Sequence, residues 1–211
     1  MSSPKEALQA IFDAERALRA HERALLERDE RELTKALSAA VTEALEHADP
    51  SEAVLRLERL ADLCAQVEGP QMVDALIAIL DHDASSVRVQ AAEALVDVGF
   101  ERYAELARGT ERAIADGKRV SALQELPWVL CEIAEPSARP LIARLLAHAD
   151  VEVVASAVEA LAELGDPAAI ADLTPLQDDP RLIELEDDEG AQCATLGDLV
   201  AESIEALQDQ G

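Results

Sequence analysis

Three histidines, His47, His82 and His148, recur at the same place in the chain, each two residues after a Leu and two or one residues before an Asp. Three imidazoles at matched positions raise the question of a metal site. Packed helices lie about 8 to 10 Å apart, so residues from different layers do not converge to the roughly 2 Å bonds that zinc needs. The expected role is structural: a His near a helix C-terminus, favoured in its protonated form by the helix dipole. A second candidate is the acidic turn Glu186, Asp187, Asp188, Glu189. It offers oxygen ligands for calcium, but it lacks the twelve-residue loop spacing of an EF-hand and reads as solvated charge. Cys64, Cys131 and Cys193 stand far apart with no CxxC spacing and no His nearby in sequence. No serine sits in a GxSxG turn, and no Gly-rich loop follows a strand. No catalytic residue, cofactor-binding residue or metal ligand is therefore expected, and the chain reads as a non-enzyme.

The elements that must carry these residues are written in a repeat. "LDHDASSVRVQAAEALVDVG" at 80–99 returns as "LAHADVEVVASAVEALAELG" at 146–165. Residues 70–99 align with 136–165 at an offset of 66 without a gap, with nine of thirty positions identical. An offset of 66 is two periods of about 33, so a degenerate unit is expected between them. It is found at 100–135, where two apolar helical patterns flank "ADGK". "LEHAD" at 45–49 marks a further unit upstream. The predicted organisation is a capping helix over 1–30 and a solenoid over 31–211, with units at about 31–69, 70–99, 100–135, 136–165 and 166–211.

Local signals agree with this division. Ser3-Pro4-Lys5-Glu6, Asp49-Pro50-Ser51-Glu52 and Thr195-Leu196-Gly197-Asp198 each read as a capping box. Gly69, Gly99 and Gly165 are expected to end helices. Residues 181–196 alternate apolar and polar around the acidic turn, which predicts a short β-hairpin inserted in the last unit. Val87, Ala91, Ala94, Leu95 and Val98 form one helical stripe. A lone hairpin cannot cover such a stripe, so the units must stack into an all-α solenoid. The near absence of aromatics, with one Trp, one Tyr and two Phe, suits close-packed helices of Ala, Leu, Val and Ile.

Carried by Asp83, Val87, Arg88, Ala91, Ala94 and Leu95, and by "DPAAIADLTPLQD" at 166–178, the units resemble HEAT repeats of the short bacterial kind also found in phycobilin-lyase-like proteins. Val154 stands where the family often has the basic residue seen here as Arg88. The resemblance implies either an adaptor that holds a protein on its curved face or a lyase-like or chaperone-like accessory factor acting on a client protein. The first predicts no cofactor and simple saturable binding, and it is preferred because so few rings are present to stack on a flat pigment.

Charge narrows the partner. With 44 acidic and 18 basic residues the chain carries −26. It should repel nucleic acid and anionic lipid and attract a protein with a basic patch. Residues 1–35 are nearly balanced, with seven basic and eight acidic groups, whereas residues 172–211 hold twelve acidic groups and only Arg181. The odd cysteine count argues for a reducing compartment. With no signal-peptide-like or membrane-spanning apolar run, the expected location is the cytoplasm.

The expected partner-binding face lies opposite the core stripe. It comprises Val89, Ala92, Glu93 and Val96 in one unit, and Ala155, Val158, Glu159 and Ala162 in its match. Trp128 aligns between Glu93 and Glu159, beside Pro127, which should bend its helix. Two positions are open to Trp128: the groove, or the core of a degenerate repeat.

Overall fold

The fold was analysed in a computed structural model that describes residues 3–187 and 190–209, with side-chain surroundings outside 184–193. Ten α-helices, two short 3-10 helices (Arg144–Ala147 and Thr174–Leu176) and one β-hairpin are found among the described residues. They run α1 (Pro4–Leu26), α2 (Glu30–Leu45), α3 (Pro50–Ala65), α4 (Pro70–Leu80), α5 (Ser85–Asp116), α6 (Val120–Ile133), α7 (Ala138–Ala143), α8 (Val151–Leu164) and α9 (Ala169–Leu173), then strands β1 (Leu182–Asp187) and β2 (Gly190–Thr195), and α10 (Leu196–Asp209).

The architecture is an α-solenoid of two layers. The second half of α5 packs on α4 and reaches the C-terminal end of α7, through Arg112 to Asp74 and Glu111 to Arg144, the residue that follows α7. It thus joins α2, α4, α7 and α9 in one layer. The first half of α5 lies between α3 and α6, through Gln90 to Asp62 and Arg88 to Glu125. It joins α3, α6, α8 and α10 in the other layer. The predicted stripe faces the interface between layers: Val87, Ala91, Ala94, Leu95 and Val98 are all buried. One continuous apolar core runs from Leu33 to Leu207, as expected when each hairpin covers its neighbour.

The helix ends show which local signals act. Ser3 accepts from the Glu6 amide while Glu6 accepts from the Ser3 amide, a complete capping box. Thr195 and Asp198 close the same reciprocal pair at α10. The box expected at Asp49 is incomplete: Asp49 accepts from the Ser51 and Glu52 amides, but its own amide donates to His47 Nδ1 at 3.1 Å, and Glu52 turns to Arg56. Gly165 does end α8 in the left-handed region at φ 69°, and Gly117 ends α5 likewise. Gly99 corrects the prediction. It is buried inside α5, which continues through it to a break at Arg102 (φ −141°, ψ 49°). A Cβ on Gly99 would meet Ile133 Cδ1 at 2.1 Å, so its missing side chain serves helix approach rather than termination.

The inserted hairpin is present. β1 and β2 pair antiparallel, with Leu182 opposite Thr195 and Ile183 opposite Ala194, and Ile183 is buried. Of the acidic turn, Asp188 and Glu189 lie outside the described residues. At the other end, the last turns of α1 meet the body. Leu25 and Leu26 pack on the core, and Glu22 bonds Arg59 at 3.0 Å. Leu8, Ile11 and Phe12, further up the same helix, are exposed.

Candidate partner-binding groove

The repeated histidines build the turns that hold the two layers together. In each, Nδ1 accepts the amide two residues on: Asp49 to His47, Ala84 to His82 and Asp150 to His148, all at 3.1 Å. The ring thereby satisfies an otherwise free amide of its turn, the structural role expected of it. Among the described residues no group of three or more His, Cys, Asp or Glu is placed to hold a metal ion. Arginines close the same turns. Arg88 donates to the His82 and Asp83 carbonyls at 3.2 and 2.8 Å. Val154 occupies the matching place and is buried. The His148 carbonyl instead receives Arg181 from the following unit at 3.5 Å.

With the turns fixed, the outward faces of the second helices line up side by side. Between α5 and α6 they leave a groove of about 480 Å³, with Val89, Glu93, Val96, Glu125, Trp128 and Glu132 in its walls. Between α6, α8 and α10 a second of about 560 Å³ is walled by Trp128, Glu159, Ala162, Glu163, Leu199 and Glu202. A third, about 820 Å³ and more polar, lies between α3 and α5 and shares Glu93 and Asp97 with the first. The three therefore lie side by side across the layer, and Trp128 stands on the ridge common to the first two.

Each residue expected at this face can now be placed. Trp128 is 40% exposed, while Pro127 and Val129 on either side of it are buried in a helix that runs unbroken from Val120 to Ile133. Val89 is 57% exposed and Glu93 is exposed. Val96 is nearly buried but still lines the groove. Glu159 and Ala162 are half-buried. Ala155 and Val158 are buried in the packed interior, because α8 has neighbours on both sides in its own layer as well as the layer beneath.

The sequence reading did not single out Asp97, Glu125, Glu132, Glu163 and Glu202. A signal was available for three of them: Asp97, Glu132 and Glu163 stand four residues after Glu93, Trp128 and Glu159, which places each on the same helical face. Together the three depressions carry ten carboxylates (Glu22, Asp62, Glu93, Asp97, Glu101, Glu125, Glu132, Glu159, Glu163 and Glu202) and three guanidiniums. All three cations are engaged, Arg59 with Glu22 and Asp62, Arg88 with Glu125, and Arg102 with Glu101 and Glu105. Glu93, Asp97, Glu132, Glu159, Glu163 and Glu202 have no ion-pair partner among the described residues. Burial, and then the neighbouring Glu152 charge, hold the Glu159 carboxyl above its ordinary value. The free walls around Trp128 are anionic, and one of their charges is partly desolvated.

Cys64 and Cys131 contribute little reactivity. Burial pushes the Cys64 thiol up to about 12. Cys131 is also raised, first by burial and then by Glu163. A thiol that resists ionisation is a poor nucleophile.

Comparison with known proteins adds the family. A model described as HEAT repeats matches residues 117–185. No curated protein matches the chain. Among solved structures, two crystal structures of engineered proteins are 19% and 20% identical, with 90% of each chain covered and TM-scores of 0.35 and 0.39. A designed armadillo repeat protein in complex with the peptide (KR)4 is 19% identical over 99% of this chain and 95% of that chain, with a TM-score of 0.38. The matched segment contains Trp128, Glu159 and the turn at His148, and its repeat is the one written again at 70–99: over residues 117–185 the chain is similar to HEAT repeats.

Proposed function

We propose that the protein is a non-enzymatic scaffold that binds a basic segment of a partner protein across the groove centred on Trp128. Folds of this kind typically serve as protein-interaction scaffolds. The observation that carries the finer reading is the conjunction at α6: the only Trp of the chain, 40% exposed, among six carboxylates without cationic partners among the described residues. An indole face attracts a guanidinium or ammonium by cation–π interaction. The surrounding carboxylates supply the longer-range field that speeds encounter and selects the sign of the partner. Val89, Val96, Ala162 and Leu199 give apolar floor between the charges. The occupant that fits has Lys or Arg interleaved with small or aliphatic side chains, in an extended segment long enough to cross two helices.

The test is selection of peptides from a random display library on the folded protein. Enriched sequences should carry Lys and Arg, and a centrally placed Trp is a binding hot spot worth about 2 kcal/mol or more. Trp128→Ala should therefore weaken the selected peptides about thirtyfold with the circular dichroism unchanged. Enrichment of neutral or acidic sequences, or undiminished binding to Trp128→Ala, would reject the reading.

A further inference from the structure

We infer that α1 is a self-association element, through which two copies of this chain pair by their N-terminal helices in antiparallel fashion. Taking 100° per residue, Leu8, Ile11 and Phe12 fall within the same sector of α1 as Leu18, Leu25 and Leu26. Glu15, Arg19 and Glu22 interrupt that sector, which leaves Leu8, Ile11 and Phe12 as one apolar cluster near the start of the helix; only the last turns meet the body, where Leu25 and Leu26 pack on the core, whereas Leu8, Ile11 and Phe12 are 54%, 60% and 54% exposed. The first half of α1 thus overhangs the solenoid and carries an uncovered apolar face.

Charge identifies what covers it. α1 contains Lys5, Arg16, Arg19 and Arg23 against Glu6, Asp13, Glu15 and Glu22, four of each sign. Subtracting these from 18 basic and 44 acidic residues leaves 14 and 40, so the remainder of the chain carries the whole charge of −26. Two bodies of this kind repel, and α1 is the neutral surface on which two copies can meet. Antiparallel pairing follows from the same balance, because the bodies are attached at the C-terminal ends of the helices. Crossing near Ala10 leaves about 16 residues of helix on each side. At 1.5 Å per residue the two attachment points stand about 48 Å apart, near six Debye lengths at physiological salt. A parallel pair would bring the two acidic bodies together. The antiparallel crossing also sets Leu8 of each helix against Phe12 of the other, and Lys5 beside Glu15, twice by symmetry. A pairing through one helix of each copy is expected below the roughly 800 Å² per partner of a standard interface, so its dissociation constant is sought across the micromolar range.

Sedimentation equilibrium of the full chain from about 5 to 500 μM at physiological salt tests this. The wild type should pass from monomer to dimer, and Phe12→Glu should raise the dissociation constant at least tenfold with its helix content intact. Lys5→Glu and Glu15→Lys should each weaken pairing, since each sets like charges together. An equimolar mixture of the two should restore it, because every cross-pair is then opposite in sign. A wild type that stays monomeric to 500 μM, a Phe12→Glu variant that still dimerises, or a mixture no tighter than its components would overturn the inference.

Discussion

Gly109→Ala probes whether the two layers are packed as closely as the fold requires. Gly109 is buried in the second half of α5, against α4. A Cβ there would stand 2.3 Å from Cγ1 of Val73 and 3.3 Å from its Cβ. Val73 is 1% exposed, and a β-branched side chain in a helix has one strongly preferred rotamer, so it cannot swing aside without moving α4. Overpacking of this kind costs about 1 to 3 kcal/mol. Replacing Gly by Ala inside a helix returns about 1 kcal/mol, so the expected net loss is about 1 kcal/mol, or about 2 to 4 °C in melting temperature for a chain of this size. Val73→Ala deletes the two methyls of Val73, Cγ1 among them, and by itself should cost about 1.6 kcal/mol at about 0.8 per buried methyl. In the double variant the new methyl fills the vacated space, so the double should be more stable than the sum by about 1 to 2 kcal/mol. Urea unfolding followed by circular dichroism measures all four proteins. A Gly109→Ala protein that gains the full helix-propensity term, or a double variant that is simply additive, would show that the α4–α5 approach is looser than described.

Further outcomes follow from the turns, the groove and the thiols. His148→Ala removes the acceptor for the Asp150 amide and should cost about 1 kcal/mol; His148→Asn, whose amide oxygen can make the same two-residue bond, should recover most of it, and equal losses for the two would refute the acceptor role. Because the Glu159 carboxyl is raised in the fold, the folded chain holds that proton more tightly than the unfolded chain. Its charge thus costs stability above the raised value, and the cost disappears as pH falls through that value towards the ordinary 4.5 and below. Glu159→Gln should therefore be more stable than wild type at pH 7, with the difference vanishing in acid, and bind basic peptides more weakly; a variant less stable at neutral pH would reverse the sign of this argument. Cys64, held up to about 12, should resist alkylation at pH 7.5 in the native protein and react only on unfolding, as peptide mapping after iodoacetamide would read.

The stacking surface was readable because it is written twice: the offset of 66 and the stripe from Val87 to Val98 fixed the helical hairpins and the buried side of α5. What one helix does on meeting another was harder to read. Gly99 looks like a stop because glycine often ends helices, but Ile133, 34 residues away, needs the space its side chain would fill. The three histidines mark a C-terminal turn, and only the folded turn reveals that each ring accepts an amide. On the expected binding face, Ala155 occupies the place of the exposed Val89 in its own repeat, yet neighbouring helices bury it. The pairing of the groove arginines was encoded less directly, at one repeat length. Arg59 meets Glu22, Arg88 meets Glu125 and Arg102 meets the Ala65 carbonyl, each 37 residues apart. That spacing would have marked Glu22 and Glu125 as engaged, whereas Asp62, Glu101 and Glu105 meet their arginines locally, within three residues.

The most direct test of the groove uses its own probe, since Trp128 is the only tryptophan in the chain. Its fluorescence should be followed during titration with a peptide alternating Lys or Arg with Leu, and with a matched peptide in which every basic residue is Glu. If the groove takes a basic segment, only the basic peptide should change the emission of Trp128, saturably, and the affinity should fall several-fold from 50 to 300 mM salt as the carboxylate field is screened. An unchanged emission with the basic peptide, or an equal response to both peptides, would contradict the account.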